Sequence, residues 1–365
     1  MASVLILWVV MRGYAAGDSR QTTGSESSTG PRQIIVRSQI EGVVRWIPAD
    51  FEALTVVREP YWISEEPPGG ERPARLPRMV CERVLERVLT PPKGSLPRGT
   101  HYWGFKSRLR RLLAGRTVEL CVEASGHHQM SEDRFGGVIA DRVDILVFRD
   151  RAAGFPEDFY KALEQNKAVL HRTSEFTLAE LPLHRPHHVA HDGSIWLTMP
   201  EPHILIIASR REFLVRAYQN SMDERATAFP ETLPEWSHIS PSARAWGLRH
   251  YRDRPGRADI SDARLLSAES NGLRGDSGLQ AVGFAFSIDS EARQAKVVWL
   301  QCDERVTQQV TRWFRNLIKG DVTASSENEG ELLISMSWNP DAAGSVTERQ
   351  TAQCLCWFQG FAAFI

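Results

Sequence analysis

The chain has 365 residues, 42% hydrophobic and 24% charged, and its 44 basic and 45 acidic side chains leave a formal charge of -1. That length suits two domains, and the composition is that of a globular protein able to bury a core without disulfides or a structural metal. The balanced charge argues against a dedicated nucleic-acid binder, whose affinity rests on a basic face turned to phosphates. The five cysteines, Cys81, Cys121, Cys302, Cys354 and Cys356, show no CxxC spacing and imply neither a disulfide framework nor a thiolate zinc site. Cys354 and Cys356 read as buried small hydrophobes.

Residues 1–16 read as a leader. Val4 to Met11 is apolar, and Gly13 and Ala15 stand where a signal peptidase accepts small residues, although no Lys or Arg precedes the run. The run is too short to span a bilayer, so no transmembrane segment is expected and export to the periplasm or exterior is favoured. Residues 17–33 are rich in Gly, Ser and Thr and hold no large apolar side chain, the composition of a flexible linker.

Folded structure is expected from Ile34. Ala53 to Val57 reads as a strand after Trp46-Ile47-Pro48-Ala49-Asp50. Leu76, Met79, Val80, Val84, Leu85, Val88 and Leu89 recur at helical spacing until Pro91-Pro92, as do Leu109, Leu112 and Leu113 in a shorter helix ending at Gly115. Val118, Leu120 and Val122 alternate with Glu119, Cys121 and Glu123, which describes a strand with one face buried. Asp144–Phe148 is a strand and Phe155–Gln165 a helix. Ile195–Met199 and Ile204–Ala208 form a hairpin across Pro200-Glu201-Pro202-His203, and Ser209 caps the next helix. Ala245–Tyr251, the hairpin Val282–Ile288 with Lys296–Leu300, a helix from Asp303, a strand Leu332–Trp338 and a last helix Thr347–Phe361 follow.

Strand, insertion, hairpin and helix thus occur twice, and the lead strands close alike on Phe148-Arg149-Asp150-Arg151 and Tyr251-Arg252-Asp253-Arg254. The expected class is α+β: two antiparallel-sheet domains, 34–232 and 233–365, with helices packed on one face and a duplicated strand–hairpin–helix unit. The regular βαβ alternation and glycine-rich phosphate turn of a dinucleotide fold are absent.

The segments Ile47-Pro48-Ala49-Asp50, Ala243 to Tyr251 and Trp196 to Ala208 resemble those of a loose group of uncharacterised, mostly exported bacterial proteins. The resemblance runs across most of the chain and implies the same order of strands and export. It carries no assigned activity and so no functional residues.

Three features attract a functional reading. His184, His187, His188 and His191 fall within eight residues, near His203 and His127-His128, and their imidazoles could converge on zinc with Asp192 as a further ligand. The plain alternative is a solvated loop, and no HExxH is present. Gly275-Asp276-Ser277-Gly278 resembles the nucleophile segment of chymotrypsin-like proteases, with Ala190-His191-Asp192 as the histidine segment. Leu279 stands where a glycine belongs, Asp192 where a cysteine belongs, and a glycine-rich turn explains the residues better. The basic run Lys106, Arg108, Arg110, Arg111 and Arg116 could meet phosphates or an anionic membrane, but reads more simply as the solvated face of an amphipathic helix. Trp196, Trp299, Trp313, Trp338 and Trp357 are expected in the core, whereas Trp46, Tyr61, Trp62, Tyr102 and Trp103 are the first candidates for an aromatic binding surface. The leading expectation is a non-catalytic binding, sensing or scaffolding protein of the envelope or exterior, with a protein or small-ligand partner. The alternative is a metal-dependent hydrolase using the histidine cluster.

Overall fold

The computed structural model describes residues 42–48, 51–58, 60–63, 81, 84–85, 110–130, 138–182, 194–221, 230–231, 233–250, 283–289, 294–300, 321–325 and 331–337. In chain order the strands are β1 (Ala53–Val57), β2 (Tyr61–Trp62), β3 (Thr117–Met130), β4 (Val138–Phe148), β5 (Val169–Arg172), β6 (Thr177–Pro182), β7 (Ser194–Glu201), β8 (Ile204–Ala208), β9 (Ala245–His250), β10 (Gly283–Asp289), β11 (Gln294–Leu300), β12 (Asp321–Ser325) and β13 (Glu331–Ser337). Helix α1 spans Phe155–Gln165, helix α2 Arg211–Ser221, and a 3-10 turn Pro234–His238. No helix among the described residues is long and apolar enough to cross a membrane.

All five residues of β1 are buried. A strand with no exposed face needs cover above and below and a hydrogen-bonded neighbour on each edge. The neighbours are β3 and β9, both antiparallel, so that Val56 faces Val122 on one side and Trp246 on the other. Through β1 the strands of the two segments join in one 13-stranded sheet, ordered β12-β13-β11-β10-β9-β1-β3-β4-β8-β7-β6-β5, with β2 beside β3. The architecture is α+β with a large open antiparallel sheet.

The two expected repeats are wired differently. Strand β4 pairs with β8, the second strand of its hairpin, whereas β9 pairs with β10, the first strand of its own. Similar element order therefore leads to different strand neighbours, and the structure does not confirm a duplication.

Period-two alternation sorts each strand onto two faces. Leu54, Val56, Val122, Ala124, Val143, Ile145, Ile206, Trp246 and Leu248 share the principal face, where Phe213, Leu214 and Ala217 of α2 join them with Val43, Val44 and Trp46. Helix α1 begins with Pro156 in its first turn and places Glu157 and Asp158 at its positive end. It buries Phe155, Phe159 and Leu163, four residues apart, and Phe155 meets Phe148 edge to face at 5.9 Å. Lys167, with φ of 69°, then turns the chain into β5. Gly247 of β9 lies under the ring of Phe286, where a Cβ would stand 2.5 Å from Phe286 Cε1 and 2.7 Å from the Leu54 carbonyl oxygen.

Candidate functional site

His184, His187, His188, His191 and Asp192 lie outside the described residues, as do Gly275 to Gly278. What is described is the frame around the histidine segment. Strand β6 ends at Pro182 and β7 begins at Ser194, and these two residues are register partners. The intervening segment thus leaves and rejoins the sheet at adjacent positions. Among the described residues no group of three or more His, Cys, Asp or Glu is placed to hold a metal ion.

Beside that frame, side chains of β5, β6 and β7 converge. Val169, Glu180 and Trp196 form a cross-strand row, which puts His171 and Ser194, each two residues along, on the same face. The Ser194 hydroxyl donates to Glu180 Oε1 at 3.0 Å, and His171 Nε2 lies 3.1 Å from Glu180 Oε2. The indole of Trp196 sits 5.3 Å from the imidazole, tilted by 39°. Ser194 and Trp196 are buried, while His171 and Glu180 keep side-chain exposures of 36% and 27%. Val169 adds 49% exposure on the terminal strand.

The chemistry of this cluster follows from which atoms are taken. Ser194 and His171 both bond to the carboxylate, not to each other, so the imidazole is not set to take the proton of the hydroxyl. With Nε2 donating to Glu180, Nδ1 is left as an acceptor for a donor or a cation, the arrangement in which a carboxylate orients a ligating histidine. Sequence reasoning missed the cluster because its members are nine and fourteen residues apart and only strand register brings them together.

Two other histidine–carboxylate pairs are present among the described residues. His250 Nδ1 lies 2.8 Å from Oε1 of Glu235, a fully buried carboxylate on the 3-10 turn. His203 faces Glu201 at 3.7 Å, and Arg45 reaches the same carboxylate at 3.3 Å. Burial, and then the charge of Arg151, lower the His203 pKa. At mid-sheet, Glu123 and Asp144 are directly opposed, and like charges so placed repel. Arg142 bridges them, with Nε 3.0 Å from Asp144 and Nη2 on Glu123. Burial alone would lower the pKa of the guanidinium, but Asp144 and Glu123 reverse the effect and raise it. The alternating strand at 118–122 is therefore not half solvated: Cys121 and Glu123 are buried as well as Val122.

Of the basic run, Lys106 and Arg108 lie outside the described residues, and Arg116 departs from a solvated face. The Arg116 guanidinium lies 3.4 Å from the ring centroid of Phe155, with Phe148 at 6.0 Å. A planar, weakly hydrated cation stacks on aromatic rings, which draws it off the water-facing side. Arg111 is exposed and Leu113 buried, as an amphipathic helix requires. Of the aromatics singled out, Trp196 is in the core as expected, Trp46 and Tyr61 are buried too, and Trp62 is 60% exposed. Tyr102 and Trp103 lie outside the described residues.

No family model and no curated protein matches the chain. Solved structures similar to it include three crystal forms of TP0453. Form I gives 6% identity and a TM-score of 0.44, covering 88% of this chain and 97% of that one. Form III gives 8% and 0.42 over 86% and 96%, and form IV 9% and 0.41 over 86% and 95%.

Proposed function

We propose that the chain is a non-catalytic binding or scaffolding protein of the cell envelope or exterior, which engages a protein or small-ligand partner at the β5–β7 end of its sheet. The observation that carries this reading is the Ser194–Glu180–His171 cluster, in which His171 and Glu180 are partly exposed on an indole beside Val169. It offers a fixed polar row and an apolar neighbour on one surface, the usual make-up of a recognition patch. The hydroxyl is held by a carboxylate, which suits orientation of a bound group better than nucleophilic attack.

A photo-crosslinking side chain at position 169, introduced into the full chain in its native host, tests this. A discrete adduct that disappears in His171→Ala and Glu180→Gln, while position 175 yields none, supports the reading. Equal labelling at 169 and 175, or adducts indifferent to both substitutions, overturns it. Export is tested separately by N-terminal sequencing from the host: a start near Ala16 supports it and an intact Met1 ends it.

A second reading, metal binding by His184, His187, His188 and His191, is favoured by the closed base of their segment at Pro182 and Ser194 and by the acceptor nitrogen of His171 nearby. Elemental analysis of untagged protein decides it. Stoichiometric zinc, lost in His187→Ala/His188→Ala, would replace the first reading by a metal site, and with it a metal-dependent hydrolase.

A further inference from the structure

Cys81 and Cys121 are far apart in sequence, and each is only 1% exposed. Cys121 stands on β3 in register with Val57 and Leu146, on the sheet face opposite the principal core. Cys81 is helical, and with Val84 and Leu85 it forms a buried row at i, i+3, i+4 spacing. This row lies against β3, since the Cys81 and Cys121 thiols are in hydrogen-bond contact. Both thiols are free.

We infer that Cys81 and Cys121 are a dithiol–disulfide couple whose state is set when the chain folds and is then locked by burial. Two thiols already touching need little further movement to reach an S–S bond of about 2.05 Å. The reaction is thiol–disulfide exchange with a small disulfide or a disulfide oxidoreductase. The thiolate of one cysteine attacks the oxidant and expels one thiolate. The second cysteine attacks the mixed disulfide and expels the other. Two thiols and one disulfide become one protein disulfide and two thiols, the two protons passing to the leaving sulfurs.

In the folded chain both steps are blocked. The thiolate is the reactive form, and burial, with Cys81 and the charges of Glu123 and Asp144, pushes the Cys121 thiol well above its usual range. No oxidant reaches sulfurs that are 1% exposed. Exchange therefore belongs to the interval before the helical row closes over β3. Folding in an oxidising compartment yields the disulfide, and folding in a reducing one leaves a stable dithiol. The pair thus records the compartment in which the chain folded, independently of what the protein binds.

The test is refolding of the reduced, denatured full chain in excess oxidised glutathione and, in parallel, in dithiothreitol. Free thiols are then alkylated under denaturing conditions, and tryptic peptides are mapped without reduction. Oxidative refolding should join peptide 79–83 to peptide 117–134 with loss of two hydrogens, and raise Tm by roughly 5 °C over the dithiol form. The dithiol form, once folded, should resist the same oxidant and maleimide at least tenfold longer than the unfolded chain. Free Cys81 and Cys121 after oxidative refolding, or their pairing with Cys302, Cys354 or Cys356 instead, overturns the proposal. Oxidation of the folded dithiol as fast as the unfolded chain overturns the locking.

Discussion

Arg142 holds a demanding position. It separates two carboxylates that strand register places face to face, in a site where each is almost wholly removed from water. Arg142→Met should cost about 3–5 kcal/mol in urea unfolding, because breaking such a cluster strands buried charge. Adding Glu123→Gln and Asp144→Asn to that variant should restore much of the loss. A triple variant no more stable than the single one would show that charge is not the cause. Tyr218 makes a different prediction. Its hydroxyl bonds Thr198 at 2.8 Å, and burial pushes its pKa up to about 12. A folded-state pKa above the unfolded value of about 10 means that this stabilisation is complete below pH 10 and lost as pH rises towards 12. Tyr218→Phe should flatten the fall in stability over that window, and because burial raises the pKa of Tyr160 as well, ultraviolet titration should show one late-ionising phenol fewer in the variant than in wild type. Gly247→Ala places a methyl against Phe286 and the Leu54 carbonyl, and should cost about 1–3 kcal/mol by thermal melting.

The helix α1 and strand β8 were legible to the residue, because Phe155, Phe159 and Leu163 keep helical spacing behind a proline start and Ile204–Ala208 is an unbroken apolar run bounded by turn residues. The hairpin of β5 and β6 was not. Val169-Leu170-His171-Arg172 has no alternation, since a terminal strand is half exposed and makes little use of one face. Its turn is fixed by Thr173, whose hydroxyl accepts the amides of Glu175 and Phe176, a pattern visible only once the register is known. Strand β12, Asp321–Ser325, is equally polar and was likewise missed. The candidate site inherited this blindness: four histidines in one short segment drew the eye, while Glu180, His171 and Ser194 needed the β5–β6 pairing to meet. Phe159→Ala should cost about 3–5 kcal/mol, and because α1 rests beside β5 and β6 it should reduce amide protection there before elsewhere. Loss of protection first at β10 and β11 would contradict that placement.

At the scale of the whole molecule, β1 makes the two sets of strands one sheet. Leu54 touches register partners in both sets, Ala124 and Leu248. Leu54→Ala should lower stability by about 2–5 kcal/mol and do so on both sides together. Hydrogen exchange read at β7–β8 and β10–β11 checks this, and a loss confined to one side would show that the sets unfold independently. Because β1 precedes both strands it pairs with, it also imposes an order on synthesis. It emerges from the ribosome early, finds β3 after a moderate delay, and waits roughly 190 residues for β9. Until then it offers the bare backbone edge of a largely apolar strand to any neighbouring nascent chain. A product truncated before Ala245 keeps that edge permanently, so premature termination should yield aggregates rather than a working half, and cells making this protein have reason to shield its first strand until translation is nearly done.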